Sequence, residues 1–597
     1  MQADAMSLTF LEKEGIVKIP FFQRGYVWDK TNWADLLEDL YDETKSPFLG
    51  SLILKQLDKQ TGKIKEVLVI DGQQRLTTLS ILIKALYDTF SDEIKINCET
   101  AIQSYLFYKI NRTDKEKFVR INHSQLDAQY YNKVIEGNIT EDELEKIIIA
   151  DEQNKIISRD NKILQCYKYF KKELELKDEE KRQWLFDYLL NDDNNFLVII
   201  DLQKNDDEQS IFDTINSAGV RLSSADIIKN ALFQKALDII KNQNDVIKLY
   251  NTFWENIFSG DDDSKLYWET PRSTGRLMRD NIEILLHSVA VIKNFFDPDK
   301  HNLSDLSKLY KDYIESLTII SLTDFIKEIS DYAKIYRENI ITFDKSTLFS
   351  FENNHQRLFH ILDVCEISTF HPYILLLFYQ NKTNIDDLDR KLFVLEKYII
   401  RRLIKKEDTK NYNKICKDFI KDGNLLVIGA NAISDDDIKS SLENITNKNA
   451  SLLLFWIELY RRHIDRMQTL KELKYDYSLE HIMPQKWEEY WSSIPVYDIN
   501  SNEINNDEQA KIIRNRAIYS IGNMTLLNSR LNSSVRNYPF IKKIEGEGKK
   551  KGIKHYSDLR ITKDDIITPY ENGTTTWDER NIHSRTVELS KEILTIW

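Results

Sequence analysis

Two patterns of apolar residues alternate in the N-terminal part of the chain. A short strand-like piece lies at 15–20, and apolar runs typical of strands lie at 51–54, 67–70 and 196–200. Between them, apolar residues recur at helical spacing from Trp33 to Tyr41 and again from Leu76 to Phe90. This alternation predicts an α/β region at the start of the chain.

Helical periodicity dominates the rest of the sequence. It runs through residues 95–190 and 240–470, where aromatic residues occupy many of the core positions. We predict an N-terminal α/β domain at 1–235, a helical connecting domain at 236–450 and a C-terminal domain at 451–597. The chain is thus predicted to be multidomain and mainly α, with α/β parts.

Composition supports a helical protein and limits how it can contact nucleic acid. Gly and Pro are scarce, at 16 and 9 of 597 residues, and the net charge is −13. Any DNA contact must therefore use local basic patches. The four cysteines form no Cys-x-x-Cys pair, which argues against a structural zinc site and fits a reducing cytoplasm. No apolar run approaches the roughly 20 residues that span a bilayer, so we expect a cytoplasmic protein without a membrane partner.

The most specific chemistry lies near the C-terminus. Glu480 directly precedes His481, and Asn523 and Asn532 follow, nine residues apart. A histidine can take a proton from water, while a carboxylate and an amide oxygen can hold a hard cation on a phosphate. We assign His481 as the catalytic general base, and Glu480 and Asn532 as metal ligands. Asn523 joins the catalytic group as the residue that orients the loop or the histidine.

Oxygen ligands favour Mg²⁺ or Mn²⁺ over Zn²⁺. The same residues could instead be a core histidine and two asparagines in turns, but the complete constellation favours catalysis. The segment 485–520 is long and acidic, and we interpret it as a loop insertion. That insertion leaves open which asparagine reaches the metal.

A basic tract follows, with seven Lys or Arg residues against three acids between Ile541 and Arg560. Such a tract can neutralise DNA phosphates, although a solvated charged surface would have the same composition. The DNA-binding candidates are Lys542, Lys543, Lys549, Lys550 and Lys551.

A second constellation lies between a predicted strand and a predicted helix, at Asp71-Gly72-Gln73-Gln74-Arg75. Gly72 permits a positive φ, and the free N–H groups of a helix start favour an anion. Arg75 can clamp a phosphate, and Asp71 can hold Mg²⁺ or position a water molecule. A Walker A loop is excluded, because no Gly-Lys-Ser/Thr ending follows.

Further upstream, Gln23 and Arg24 lie among aromatic residues that can stack on a base or pack in a core. Each of these two stretches alone favours a structural role. A third stretch, at 207–230, contains Asn216, Asp226 and Lys229.

Together these motifs resemble the GmrSD-type, modification-dependent restriction endonucleases. Residues 475–545 resemble the C-terminal HNH domain, with Met524 in place of the family's Leu. The stretches around Arg24 and Arg75 resemble the ParB-like N-terminal domain, and 207–230 resembles its closing motif. The resemblance implies a ParB-like α/β fold at the N-terminus and a ββα-metal HNH fold at the C-terminus.

The resemblance also implies binding and hydrolysis of a nucleoside triphosphate (GTP, ATP or UTP), coupled to the sensing of modified DNA. Asp71 would be catalytic in hydrolysis, and Asn216, Asp226 and Lys229 would complete the pocket or only support it. The implied nucleotide-binding residues are Gln23, Arg24, Asp71, Gly72, Gln73, Gln74 and Arg75.

The sequence therefore predicts a nucleotide-regulated DNA endonuclease of bacterial anti-phage defence. Its expected partners are a nucleotide and double-stranded, modified phage DNA, with homo-oligomer formation left open. One alternative is a nucleotide-dependent DNA-binding protein in which the HNH fold is only a clamp. Another is a nuclease toxin directed at RNA.

Overall fold

The computed structural model divides the chain into two compact units, Met1–Tyr250 and Asn251–Trp597. It describes residues 2–597 except for 43–46, 58–63, 111–114, 124, 203–222, 241, 275–276, 423–432, 468–469, 536 and 549. The prediction of a multidomain, mainly helical chain with α/β parts is confirmed. None of the described helices combines the length and apolar character needed to cross a membrane.

The first unit contains a mixed sheet of six strands. In spatial order they are Gln2–Met6, Leu197–Leu202, Ser51–Gln56, Glu66–Asp71, Ile16–Lys18 and Ile121–Asn122. All four sequence-predicted strands are present, each within a few residues of its predicted bounds. Phe107–Tyr108 and Phe118–Val119 form a separate small pair.

The helices that precede residue 190 bury their apolar residues against this sheet in one continuous core. The described helices are Phe10–Lys13, Lys30–Tyr41, Gln73–Thr89, Asp92–Leu106, Gln125–Ile135, Glu141–Lys146, Lys162–Glu175, Glu179–Leu189, Ser224–Ile239 and Gln243–Tyr250. Gln73–Thr89 follows directly after a strand and buries Leu76, Leu79 and Leu86. Every residue from Leu76 to Leu86 is buried, so the predicted stripe belongs to a central helix that is enclosed on all sides.

Strand direction gathers several chain segments at one edge of the sheet. Ile16–Lys18 runs parallel to Glu66–Asp71 and to Ile121–Asn122, so all three carboxyl ends lie at the same edge. Ser51–Gln56 runs antiparallel to Glu66–Asp71, which brings its amino end to that edge as well. Ligands of α/β sheets bind at such edges.

The second unit is built mostly from helices. Its α-helices are Asn256–Phe258, Asp262–Glu269, Asn281–Ile292, Leu306–Glu315, Ile319–Asn339, Asn354–Val364, His371–Gln380, Ile385–Lys405, Tyr412–Asp422, Asp435–Ser441, Asn447–Ile464, Asp507–Ile518, Ser529–Val535, Phe540–Glu545, Arg560–Thr562, Thr568–Glu571 and Glu579–Ile596. Single turns of 3₁₀-helix occur at Leu303–Asp305, Ile521–Asn523 and Ile553–His555, and π-helical turns at Asn251–Glu255 and Lys563–Ile567.

Short strands pair locally within this unit. The pairs are Pro271–Thr274 with Leu277–Asp280, Leu348–Ser350 with Glu472–Lys474, Tyr477–His481 with Met524–Asn528, and Gly546–Glu547 with Lys550–Lys551. Each pair is antiparallel and forms a separate two-stranded sheet, so no large sheet occurs among the described residues of this unit.

The segment 485–520 is not the loop that the sequence suggested, because it contains the helix Asp507–Ile518. Asn506 caps this helix by accepting a hydrogen bond from the backbone N–H of Gln509 at 2.9 Å. Asp507 and Glu508 occupy the first turn, where negative charge stabilises a helix. The acidic cluster that looked like an exposed loop is therefore a helix start.

Candidate functional site

The C-terminal motif forms two antiparallel strands and a helix. Tyr477–His481 pairs with Met524–Asn528, so that Glu480 lies opposite Thr525 and His481 opposite Met524. The helix Ser529–Val535 packs on both strands. Glu480 is buried in this strand pair, whereas the next residue, His481, is only half-buried.

The C-terminal helix, Glu579–Ile596, supports this strand pair at Gly522. A Cβ at Gly522 would lie 2.1 Å from the carbonyl oxygen of Ile582, so only glycine fits. Arg585 of the same helix is buried and donates to the carbonyls of Gly522 and Met524. The position opposite His481 is therefore fixed by buried packing.

Asn523 has no exposed surface, and both ends of its amide bind backbone. Its Oδ1 accepts from the N–H of Met483 at 2.8 Å, and its Nδ2 donates to the carbonyls of Met483 (2.8 Å) and Ile518 (3.1 Å). This geometry is that of a residue that orients the loop after His481. It does not bring Asn523 to a substrate or a metal.

His481 is held through its Nδ1, which lies 3.0 Å from the carbonyl oxygen of Ile518. A carbonyl only accepts, so Nδ1 carries the proton and the neutral ring keeps its lone pair on Nε2. Asn447 Oδ1 at 3.3 Å and Gln485 Nε2 at 3.4 Å flank that Nε2 atom. Burial lowers the pKa of His481, and the bond to Ile518 only partly opposes this. The ring is thus set up to accept a proton.

Glu480 is 8% exposed and forms an ion pair with Lys543, whose side chain has no exposed surface. Lys543 also donates to the carbonyl oxygen of His481 at 2.7 Å. Burial raises the pKa of Glu480 and lowers that of Lys543, and in each case the ion pair acts against the effect of burial. The carboxylate and the ammonium therefore stabilise each other's charged form.

Asn532 lies on the helix Ser529–Val535, and its Nδ2 donates to the carbonyl of Leu479 at 2.9 Å. This leaves the amide oxygen as the atom that can serve as a ligand, beside the residue that precedes Glu480. A carboxylate and an amide oxygen form a hard donor set, which fits Mg²⁺ or Mn²⁺. No cluster of three or more His, Cys, Asp or Glu suited to a metal occurs in the described part of the chain.

The basic tract separates into buried and exposed lysines. Lys542 is exposed and paired with Glu547, and Lys550 and Lys551 are also exposed. The prediction that Lys543 contacts DNA is wrong, because its buried ammonium pairs with Glu480 and cannot reach a phosphate. Lys549 lies outside the described residues.

The N-terminal motif lies at the sheet edge where three strands end. Glu66–Asp71 leads directly into Gly72, which has a φ of 87° and precedes the helix Gln73–Thr89. A Cβ at Gly72 would lie 2.3 Å from a methyl carbon of Leu52. The positive φ and the close contact together require glycine here, as the sequence predicted.

Charged side chains surround Asp71. Burial raises the pKa of Asp71, and this effect is opposed by the N–H of Gly72 and the positive charges of Arg75 and Arg24. Burial likewise lowers the pKa of Arg24, against the charges of Asp226 and Asp71. Two guanidinium groups and two carboxylates thus lie near the start of a helix.

Two of the three glutamines connect the chain segments of this site. Gln23 donates to the carbonyl of Val69 at 2.9 Å. The buried Gln74 accepts from the N–H of Val27 at 2.8 Å and donates to the carbonyl of Gly25 at 3.1 Å. These contacts hold the Arg24 segment against the Asp71 turn.

The third glutamine, Gln73, donates to the carbonyl of Arg24 at 2.8 Å. Its buried Oε1 has no hydrogen-bond partner among the described residues. Arg75 uses Nη1 to donate to the carbonyl of Ser51 at 2.9 Å. Its remaining N–H groups can serve a ligand.

Only the end of the closing motif can be described. Residues 203–222, with Asn216, lie outside the described part of the chain. Ser223 caps the helix Ser224–Ile239, and Asp226 pairs with Lys229 at 2.9 Å. Burial would raise the pKa of Asp226, but the charge of Lys229 and the neighbouring hydrogen bonds keep it below its usual value.

The structure adds residues that sequence reasoning missed. Near the C-terminal site these are Asn447, Gln485 and the carbonyl of Ile518, and near the N-terminal site His123, whose Nε2 lies 3.1 Å from Thr77 Oγ1. Asn447, Ile518 and His123 are more than 30 residues away in sequence from the groups that they contact, so no local motif indicates them, whereas Gln485 follows His481 by four residues. Lys543 was detectable in part, since it shares a helix face with the apolar Phe540 and Ile544.

Comparisons with known proteins match both ends of the chain. The GmrSD restriction endonuclease N-terminal domain matches residues 8–233, and the C-terminal domain of the GmrSD restriction endonucleases matches residues 432–592. An uncharacterized protein of Methanocaldococcus jannaschii is 25% identical over 250 residues, which cover 36% of this chain and 39% of that protein. The chain therefore spans less than half the length of this curated relative.

Proposed function

Because the chain belongs to the GmrSD family of restriction endonucleases, we propose that it is a nucleotide-regulated DNA endonuclease of anti-phage defence. Its nuclease centre is the strand pair that carries Glu480 and His481, joined by Asn532. Its nucleotide site is the sheet edge at Asp71. Its substrate is double-stranded DNA that carries a modification.

One observation carries the nuclease assignment. The Nδ1 of His481 is committed to the carbonyl of Ile518, 3.0 Å away. The other ring nitrogen, Nε2, lies between the side chains of Asn447 and Gln485 and keeps the lone pair that can accept a proton from a water molecule attacking a phosphodiester. Burial lowers the pKa of His481, which favours the neutral ring near pH 7.

The oxygen donors of the same centre fit a divalent cation. Glu480 and Asn532 would hold Mg²⁺ or Mn²⁺, which supplies positive charge to the phosphate and to the leaving oxygen. Asn523 and Lys543 fix the backbone around His481 from the buried side. Lys542, Lys550 and Lys551 are exposed and can contact the DNA backbone.

The Asp71 edge fits the triphosphate of GTP, ATP or UTP. Arg75 and Arg24 offer positive charge beside the free N–H groups of the helix that begins at Gln73. Gly72 lets the backbone approach closely, and Asp71 can orient a magnesium ion or the attacking water. Gln23 and Gln74 contribute by holding the two segments together.

A cleavage assay tests this proposal against its alternatives. Matched modified and unmodified phage DNAs are incubated with the full chain, with Mg²⁺ and with each nucleotide in turn. A parallel reaction uses RNA. Cleavage of modified DNA by the wild type, lost in His481→Ala, supports the endonuclease.

A control variant, His463→Ala, replaces another histidine of the same unit. DNA binding without cleavage would favour a DNA clamp, and cleavage of RNA alone would favour a nuclease toxin. Cleavage of modified DNA that survives in His481→Ala would remove His481 as the base.

A further inference from the structure

Lys543 lies beneath the proposed nuclease centre and contacts two consecutive residues of it. Its ammonium pairs with Oε1 of Glu480 and donates to the carbonyl oxygen of His481 at 2.7 Å. The side chain has no exposed surface, whereas the neighbouring Lys542 is 47% exposed. One cation therefore holds both residues from the protein interior.

We propose that Lys543 is a resident counter-ion of the metal ligand Glu480. It positions the carboxylate when no divalent cation is bound, and it weakens the affinity of the site for that cation. This inference rests on the proposed nuclease function.

The need for a counter-ion follows from the burial of Glu480. A buried carboxylate without a compensating charge is strongly unfavourable, and Lys543 supplies that charge within the protein. The strand pair can therefore fold around an ionised Glu480 before any metal arrives. A metal ligand without such a partner would instead depend on the metal for its stability.

The position of Lys543 also fixes its effect on metal binding. The ammonium takes one oxygen of Glu480, which leaves the other oxygen for a divalent cation. Two positive charges that share one carboxylate repel each other, and this repulsion is strong in a partly buried site. Lys543 therefore favours weak, easily reversed metal binding.

The surrounding structure keeps Lys543 in place when a metal binds. Its helix, Phe540–Glu545, buries Phe540 and Ile544 on either side of it. The following strand pair returns against this helix so closely that a Cβ at Gly552 would lie 2.5 Å from the carbonyl oxygen of Lys543. The ammonium has no open path to solvent and remains a fixed charge.

Mn²⁺ binding to the full chain without DNA tests the proposal. Titration calorimetry is performed on the wild type, on Lys543→Met and on the adjacent control Lys542→Met. Removal of the buried charge should tighten Mn²⁺ binding by about tenfold or more, while Lys542→Met should leave the affinity unchanged. Unchanged or weaker binding in Lys543→Met overturns the counter-ion role.

Thermal unfolding supplies a second measurement that a merely structural lysine would not affect in the same way. Without Mn²⁺, Lys543→Met should unfold at a lower temperature than the wild type, and saturating Mn²⁺ should close most of that gap. An equal deficit with and without Mn²⁺ contradicts the proposal. If Lys543→Met does not fold at all, Lys543→Gln keeps hydrogen-bond donors without the charge and is measured in its place.

These outcomes are separate from failure of the nuclease proposal. Loss of Mn²⁺ binding in Glu480→Gln, together with normal cleavage by the wild type, supports Glu480 as the ligand. If the wild type binds Mn²⁺ but cuts nothing, the nuclease proposal fails while the isotherms still decide the role of Lys543. If neither the wild type nor Lys543→Met binds Mn²⁺, both proposals fall.

Discussion

The two candidate sites arrange their charges in opposite ways. At the N-terminal site, Arg24 and Arg75 flank Asp71 at the end of a strand, and all three side chains are partly exposed. At the C-terminal site, Glu480 is almost fully buried, and its positive partner, Lys543, is buried beneath it. The first site offers positive charge outward, whereas the second hides it.

The two arrangements of charge suit different classes of ligand. Outward guanidinium groups at a helix start suit an anion such as a triphosphate. A carboxylate and an amide oxygen, with the ammonium on the protein side, suit a divalent cation. Substitutions at the two sites should therefore affect separate activities.

The largest effect is expected at His481. His481→Ala removes the proton acceptor, so DNA cleavage should fall by about a hundredfold to ten-thousandfold. Nucleotide hydrolysis should stay at the wild-type rate, because the substituted residue belongs to the other site. Single-turnover cleavage and phosphate release are measured on the same preparation. Loss of both activities in His481→Ala would show that the two sites do not carry separate activities.

The two asparagines should differ in kind. Asn523→Ala removes the side-chain partner of the buried N–H and carbonyl of Met483 and one of the two donors to the carbonyl of Ile518, which should lower the free energy of unfolding by about 2–4 kcal/mol. Asn532→Ala loses one part-buried hydrogen bond, which should cost about 1 kcal/mol or less. Urea unfolding measures both.

Mn²⁺ calorimetry distinguishes the two asparagines further, because only Asn532→Ala removes a proposed metal ligand. The Mn²⁺ affinity of Asn532→Ala should fall by about tenfold to a hundredfold. The reverse pattern, with stability lost at Asn532 and metal affinity lost at Asn523 alone, would exchange the two assignments.

Gly72 tests whether the N-terminal turn depends on its backbone. Gly72→Ala forces a Cβ onto a φ of 87° and to within 2.3 Å of Leu52. Unfolding free energy should fall by about 2 kcal/mol, with nucleotide binding reduced as well. Gly573→Ala is the control, since its φ is also positive, at 103°, but nothing lies within 4 Å of its Cβ. Equal losses would show that conformation alone, and not the close contact, matters at Gly72.

Arg75 should have a smaller effect. Arg75→Ala removes a phosphate partner and should weaken nucleotide affinity by about tenfold, as measured by calorimetry. Arg159→Ala, at an exposed position of the same unit, should bind nucleotide like the wild type. Unchanged affinity in Arg75→Ala would exclude Arg75 from the site.

The smallest effect concerns pH. Because burial lowers the pKa of His481, its ring should stay neutral to a lower pH than an ordinary histidine, whose pKa is about 6.5. A general base must be neutral to act, so the cleavage rate should be flat near neutral pH and fall only as the pH drops through the lowered value. Single-turnover rates across this range measure it. A fall that begins above pH 7 would contradict this pKa direction.

Local patterns predicted much of the architecture. Short apolar runs marked the strands at Ser51–Gln56 and Glu66–Asp71, and helical spacing marked Gln73–Thr89, because each signal lies within one element. The helix Asp507–Ile518 was missed, since its polar composition resembles a loop. Its cap, Asn506, followed by two acidic residues, was the available evidence.

What the sequence determined by itself was the set of reactive groups: Glu480 beside His481, and Asp71 with Arg75 at a glycine turn. Their chemistry depends on residue type and short spacing, which the order of residues contains. The contacts between residues that are distant in sequence depend on the fold: His481 hydrogen-bonds to the carbonyl of Ile518, and Lys543 pairs with Glu480. Lys542 and Lys543 are adjacent residues of the same type, yet burial makes one a surface charge and the other an internal partner, because the free energy of a charge depends on its surroundings.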